Sequence, residues 1–597
     1  MNTPVPTPQK SQRKGSAAEV TTGGSGGEAG AQLPANGGTS TTCTLGNVKI
    51  DFDKIQGNIF GGFSKDHQVN ILLEIKASVR DDARKTLIKG ELPDGPDGYP
   101  PDSIISHVNH STSKQVIDFN EQFRAIRRAG LPEGSILATW TNIVFTESGM
   151  TKFDANTTNF PKAFTDRMEN RDIGDVDGNA VAHWNEEMDV SVEWEKVDVM
   201  IILASDDPAQ LDHLASGSRL AKYLARLKAS NSGFNILGVI RGETRVDAGP
   251  DQVGHEHFGF KDGVSQPGIR GVDSPDDSLH NPNQGNPGQD LLHPGEFVFG
   301  YPTQVEEAPP EGLEPPDPCQ GPESGTGLPE WIKNGSFLVF RRLAQDVKRF
   351  RDEVSRNAAT LGISTDLMGA KLVGRYRSGA PLEALKFQTG NGEYQPPLVD
   401  PAIANPALAN SNALNNAFEY GDDENGDIVP IAAHIRKAYP RDQKPKFEGR
   451  DAAGDPKEVG KLKVGEAESR TQTHRLLRRG IPFGRSLGAA EGGGPDDSRG
   501  LLFFAYQTDI ERQFEFVQQT WVNDKNFPKL GAGQDPIITN DTPSSPPISG
   551  CPFHDLADKS GCLAIEITHF VKTRGGGYFF SPSIETLTNL VSGNRLP

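Results

Sequence analysis

The chain has 597 residues and a formal net charge of −19, with 80 Asp plus Glu against 61 Lys plus Arg, 66 Gly, 44 Pro and 4 Cys. That length predicts at least two domains and room for a sizeable core, while the acidic balance, with no long basic run, excludes nucleic acid and anionic membranes as partners. Four cysteines without CxxC spacing exclude a disulfide scaffold and weigh against zinc or iron–sulfur chemistry, and no apolar run reaches the ~18–20 residues that span a bilayer.

In chain order, the first residues hold neither an apolar signal-peptide core nor a twin-arginine pair. The expected location is the cytoplasm, or the cell exterior by an atypical route or after loss of a leader. Residues 1–46 are rich in Gly, Ser, Thr and Pro with scarcely a large apolar side chain. Burial there cannot offset the entropy of ordering, and a disordered tail is expected. Residues 47–250 form the first predicted domain: strand Val69–Ile75, helix Phe119–Leu131, strand Ser135–Phe145, the almost uniformly apolar strand Val197–Ala204, helix Pro208–Leu227 and strand Phe234–Glu243. Leu211, Leu214, Leu220, Leu224 and Leu227 form the apolar stripe of the second helix. This β-α-β-β-α-β order is that of a ferredoxin-like unit.

Residues 251–597 form the second predicted domain, with long insertions at 272–329 and 443–469 read as surface loops. Its elements are strand Gly335–Leu343, helix Gln345–Leu361, strand Leu501–Tyr506, helix Gln513–Trp521, strands Ala564–Phe570 and Gly577–Phe580, and helix Ile584–Val591. The expected fold class is α+β: two ferredoxin-like halves with antiparallel sheets. Only Cys551 and Cys562 are close enough for a local bridge, with free buried thiols as the alternative.

Three segments of the second region carry chemistry. His255–Gly271 reads HEHFGFKDGVSQPGIRG, in which Gly259 and Gly263 bracket Phe260, Lys261 and Asp262. The backbone beside the carboxylate can then take positive φ or approach a ligand closely, and Gln266-Pro267-Gly268 stops any helix. His434 lies in IVPIAAHIRKAYPRD, with Ile431, Ala432 and Ala433 excluding water on one side and Arg436, Lys437 and Arg441 adding positive charge beyond it. The third segment, LLRRGIPFG, carries Arg478 before a turn at Gly480–Gly484. His255 and His257 lack the further ligands of a zinc site and are read as structural or solvated.

GFKDG followed by VSQP resembles the GxxDG signature of the dye-decolorizing peroxidases, haem enzymes whose distal aspartate lies in this loop. AAHIRK followed by PR is similar to their proximal-histidine segment, and Arg478 stands at a position resembling their distal arginine. The likeness continues through Ile55–Ile59, Leu372–Pro381, Asp509–Val522 and Gly576–Pro582, and spans nearly everything from Asp51 onward apart from the insertions. One departure is visible: Val429-Pro430 stands where the family often shows Cys-Pro.

The resemblance implies two ferredoxin-like halves and one haem b per chain, held mainly by the C-terminal half. It implies His434 as proximal iron ligand, with Arg436, Tyr439, Pro440 and Arg441 at the haem edge and Gly263, Val264, Ser265 and Arg478 on the distal side. Asp262 and Arg478 would be the catalytic pair. A guanidinium stays protonated and cannot serve as base, which leaves proton transfer to Asp262. Carboxylates ionise near pH ~3.9 and imidazoles near ~6.5, so activity is expected to persist to about pH 4. The implied substrates are H2O2 and aromatic reductants such as dyes and phenols, oxidised in one-electron steps. Bulky dyes that cannot enter would be served through exposed aromatics, with Trp331, Tyr376, Tyr439 and Trp521 as candidates by composition. A haem-binding protein for storage, sensing or iron release, with incidental turnover, is the alternative.

Overall fold

The computed structural model describes residues 49–129, 136–245, 248, 252, 254–273, 285–305, 322–390, 392–409, 411–460, 470–487, 499–539, 569–594 and 596. The expected N-terminal tail and the proposed Cys551–Cys562 pair lie outside the described residues.

Nine strands form one antiparallel sheet: β1 His67–Ile75, β2 Thr139–Phe145, β3 Val199–Ser205, β4 Phe234–Glu243, β5 Ser336–Gln345, β6 Leu477–Arg478, β7 Ile481–Phe483, β8 Gly500–Gln507 and β9 Val571–Ser581. Their order is β6-β8-β5-β9-β2-β3-β1-β4, with β7 also paired to β8. Each half therefore repeats the 2-3-1-4 strand order of a ferredoxin-like unit, and the halves meet where β9 pairs with β2 through Phe580 and Phe145. At the far side Gly242 of β4 packs on β7, where a Cβ would lie 2.6 Å from Ile481 Cγ2. The two ends of the sheet thus curl toward one another.

The pattern of burial follows the residue types. β3 (VMIILAS) is buried at every position, as its β-branched run between two neighbouring strands requires. In the second half, helix Val347–Leu361 follows β5 and buries Val347, Phe350, Val354 and Ala358. The expected helix Gln513–Trp521 is a π-helical run, Glu511–Glu515 and Val517–Val522, in which Glu515 N bonds Ile510 O at 2.9 Å.

Two expectations are corrected. The helix foreseen over Pro208–Leu227 is a short 3-10 turn, Pro208–Leu211, followed by a helix that begins only at Arg219. Side chains intervene: Asp212 Oδ1 accepts from Leu214 N at 2.9 Å, and Ser218 caps the later helix by accepting from Ala221 N at 2.9 Å. Such groups compete with helical hydrogen bonds, and Leu214, assigned to the apolar stripe, is 81% exposed. The strand foreseen at Ala564–Phe570 lies mostly outside the described residues, and β9 begins at Val571. The described part of the 443–469 insertion is a hairpin, Phe447–Arg450 with Pro456–Glu458, tied to the body where Trp521 Nε1 donates to Glu448 Oε1 at 3.1 Å.

Candidate active site

The HEHFGFKDG segment forms a tight turn closed on itself. Gly259 N donates to Glu256 O at 2.9 Å and Glu256 N to Phe260 O at 3.0 Å, with Gly259 at φ +96° and Gly263 at φ +68°. Both angles favour glycine. The turn carries Asp262 to the wall of a cavity whose described lining runs from Glu256 to Val571. Asp262 Oδ1 accepts from Gly263 N at 2.6 Å and from Arg478 Nη1 at 3.2 Å.

Arg478 reaches the same place from β6, whose pairing with Tyr506 and Ala505 of β8 fixes its backbone. Gln266 clamps it twice, accepting from Arg478 N and donating to Arg478 O, both at 3.2 Å. Its Nη2 donates to Ser265 O at 3.1 Å. The side chains of Arg478 and Asp262 keep 32% and 31% exposure, and both line the cavity. Two ionic groups are thereby paired and still open to a ligand.

His434 begins a short helix, His434–Ala438, after buried Ile431, Ala432 and Ala433. Its Nδ1 lies 2.8 Å from Asp535 Oδ2, and Asp535 is fully buried. Asp535 is itself fixed, its Oδ1 accepting from Ile537 N at 2.8 Å and Ile538 N at 3.1 Å. A carboxylate accepts, so the imidazole proton is held on Nδ1 and the Nε2 lone pair is left for another partner. Burial works against protonation of His434, but the Asp535 carboxylate outweighs it and raises the imidazole above its ordinary value; Arg478 and Asp262 act on it as well. The three segments singled out in the sequence therefore surround one space.

Cations dominate another wall. Arg375 donates to Gly379 O and Asn415 O at 3.0 and 2.8 Å, and Arg441 to Asn416 O and Phe418 O at 2.8 and 3.1 Å. Burial, with the nearby charge of Arg441, pushes the Arg375 guanidinium down to about 9. Arg475 pairs with Asp290 at 2.9 Å and stacks 3.6 Å over the Tyr439 ring, and Tyr439 donates its hydroxyl to Asp290. A cluster of buried guanidiniums satisfied largely by neutral carbonyls fits an anionic ligand.

Of the residues expected around a cofactor, Gly263, Val264, Ser265, Tyr439 and Arg441 line the cavity with the three principal side chains. Arg436 and Pro440 are not among its lining residues. Arg436 turns inward behind the helix, pairing with Asp423 Oδ2 at 3.1 Å and donating to Val429 O at 2.6 Å, and Lys437 donates to Asp524 O and Phe527 O. The expected exposed aromatics also differ. Tyr376 and Trp521 are 0% and 1% exposed, whereas Trp331 keeps partial exposure and stacks on Phe160 at 5.5 Å. His257 is buried, its Nε2 2.8 Å from Phe483 O. No group of three or more potential metal-binding side chains occurs among the described residues, nor any helix long and apolar enough to cross a membrane.

Asp535, Arg375, Arg475 and Glu256 are site residues that the sequence did not single out. Asp535 is 101 positions from His434, in a stretch without a local pattern. Arg375 lies in LVGRYRSGAP, a segment noticed for its likeness but given no role.

These features define an α+β protein of two ferredoxin-like units in which a histidine backed by a carboxylate shares one cavity with an Asp–Arg pair. No family model matches the chain. A dye-decolorizing peroxidase of Mycetinis scorodonius is 33% identical over 382 residues, covering 61% of this chain and 61% of that one. One from Auricularia auricula-judae is 30% identical over 405 residues, covering 66% and 65%. The chain thus spans about three fifths of the length of the Mycetinis relative it matches. In three dimensions it is similar to a crystal structure of a decolorizing peroxidase from Auricularia auricula-judae, at 26% identity and TM-score 0.62, covering 91% of this chain and 100% of that one. In sequence and in fold the chain is therefore similar to dye-decolorizing peroxidases.

Proposed function

We propose that the chain is a haem b peroxidase that uses H2O2 to oxidise dyes, phenols and other aromatic reductants. The observation that carries this reading is the Asp262–Arg478 pair in the same cavity as His434, whose other ring nitrogen is held by Asp535. The residues present fit the cofactor: an imidazole with a free lone pair suits an iron ligand, and the buried cluster of Arg375 and Arg441 suits two propionates. We take residues 47–250 and 251–597 as the two units and assign the haem to the second, a choice supported by a lining drawn from residues 256–571.

Bound haem would supply an iron centre that accepts two oxidising equivalents from peroxide and returns them singly to reductants. Asp262 takes a proton from one peroxide oxygen and delivers it to the other, with Gly263 N and Arg478 orienting its carboxylate. Arg478 stabilises negative charge as the O–O bond opens, and its attachment to Ser265 and Gln266 means it need not reorganise to do so. Asp535 keeps the His434 proton on Nδ1. Passive haem storage would use His434 and the buried arginines but would need neither Asp262 nor Arg478.

The test is the absorption spectrum of the haem-loaded protein before and after one equivalent of H2O2, for the natural chain and for Asp262→Asn. A rapid spectral change in the first and its loss in the second, with haem retained, is expected. No change in the natural chain would reject the peroxidase reading, and an unaltered change in Asp262→Asn would reject the role of that carboxylate.

A further inference from the structure

Arg478 sits on a two-residue strand at the rim of the sheet, with β8 as its strand neighbour. It is the following residue that joins the ladder, Arg479 N donating to Phe504 O at 2.8 Å. The N–H and C=O of Arg478 therefore point away from β8, and the Gln266 amide pairs with both of them in place of a further strand. A rim peptide with so few ladder bonds is weakly restrained.

A second hold comes from the N-terminal half. Arg479 Nη1 donates to Arg478 O at 3.0 Å, while the rest of its guanidinium faces three successive carbonyls of the turn after Ile55. Nε donates to Asn58 O at 3.1 Å, and Nη2 to Ile59 O at 2.7 Å and Phe60 O at 3.2 Å. A planar fork with fixed donor directions is immobilised by four such acceptors. The turn is itself firmly seated. Gln56 spans the seam between the halves, donating to Ile143 O and Pro582 O and accepting from Ile143 N, each at 2.9 Å. At Gly57 a Cβ would lie 2.5 Å from Ser111 O, and at Gly62, φ +62°, a Cβ would lie 2.8 Å from Arg479 Nε. The Ile55–Ile59 segment, noted in the sequence without a role, is thus the seat of Arg479.

We propose that Arg479 is a positioning residue for Arg478: docked on the Asn58–Phe60 turn, it holds the Arg478 carbonyl so that the Arg478 guanidinium stays aimed beside Asp262, and the N-terminal half thereby governs the reactivity of a site built from the C-terminal half. This inference rests on the peroxidase reading above. A charge stabiliser is effective insofar as it need not move when charge develops, so slack in the Arg478 peptide is felt at the reacting atoms.

Arg479→Lys tests this, because it keeps the cation but replaces the fork by one ammonium that cannot serve all four carbonyls. Two readouts apply to the haem-loaded protein: the rate of peroxide activation, and the affinity of the ferric haem for fluoride, an anion that binds without turnover and is favoured by a donor such as Arg478. Activation should be about tenfold slower, as for a misplaced group, and fluoride about threefold or more weaker, as for an impaired hydrogen bond, with one haem per chain retained. The decisive comparison repeats the substitution in an Arg478→Leu background. If Arg479 acts through Arg478, its effect on both readouts disappears there; a merely structural role would cost the same in both backgrounds. Gly62→Ala, which presses a methyl group on Arg479 from the N-terminal half, should reproduce the pattern and replaces Arg479→Lys if that variant does not fold. Its backbone strain is common to both backgrounds and drops out of the comparison. A folded variant with natural fluoride affinity overturns the proposal, as do equal losses in the two backgrounds. If Arg478→Leu alone leaves both readouts unchanged, the role of Arg478 in the peroxidase reading fails first; if Arg478→Leu lowers both while Arg479→Lys matches the natural chain, only this inference fails.

Discussion

Asp535 Oδ2 stands 2.8 Å from His434 Nδ1, and the two residues come from segments 101 positions apart. Asp535→Asn replaces an obligate acceptor by a group that can present its NH2 instead. Haem should still bind, but with affinity about 10–100-fold lower, as measured by transfer to an excess of a haem-scavenging protein. Unchanged transfer would mean that Asp535 does not support the ligand.

Asp262→Asn and Arg478→Leu act on the distal pair. Each should slow peroxide activation by about 10²-fold or more, the scale of a lost acid–base group or charge stabiliser, while the resting spectrum shows haem in place. In the natural chain, stopped-flow rates should persist to about pH 4, as the carboxylate chemistry of the distal group requires. Rates that collapse near pH ~6.5 would point to an imidazole as the base instead.

Arg375→Leu and Arg441→Leu remove cations whose visible partners are backbone carbonyls. Each should weaken haem retention, and Arg375→Leu should also relieve the repulsion among the buried guanidiniums and raise the melting temperature of the cofactor-free protein. Calorimetry of apo and loaded forms separates these effects. A fall in apo stability for Arg375→Leu would show that the carbonyl bonds outweigh the repulsion.

Two buried groups give opposite pH slopes to stability. Burial holds the His474 imidazole down to about 3 from 6.5. The unfolded chain takes that proton first, so this contribution is complete above about pH 6.5 and is lost as pH falls toward 3. Burial pushes the Glu296 carboxyl up to about 7 from 4.5, even with Arg512 2.9 Å away. The folded chain takes that proton first, and the contribution is complete below about pH 4.5 and lost as pH rises through 7. His474→Phe should therefore flatten the decline of melting temperature between pH 6.5 and 4, and Glu296→Gln should flatten the decline between pH 5 and 7.5. Parallel curves for variant and natural chain would refute either assignment.

Periodicity exposed most of the fold, since β1, β3, β5 and β8 are largely apolar runs whose burial leaves little alternative. The failures have local causes. Asp212 and Ser218 break a leucine-rich stripe by capturing backbone groups, a competition that hydrophobic spacing does not register. At the site, Asp262, His434 and Arg478, which line one cavity, each lie in a short motif with a distinctive neighbourhood. Arg436 and Lys437 lie beside His434 in sequence, but both turn back into the protein, Arg436 onto Asp423 and Lys437 onto the backbone of Asp524 and Phe527. Asp535 and Glu256 act through contacts with segments distant in sequence or through a turn, so nothing in their flanking residues marks them.

The seam between Phe580 of β9 and Phe145 of β2 has a consequence for biogenesis. Among the described strands β9 leaves the ribosome last, and until it arrives the N-terminal half presents β2 as an open border while β5 lacks a neighbour on one flank. Unpaired strand borders recruit other chains. A polypeptide ending before Val571 should accumulate as aggregate instead of as a smaller folded protein, because β9 completes both halves in a single step.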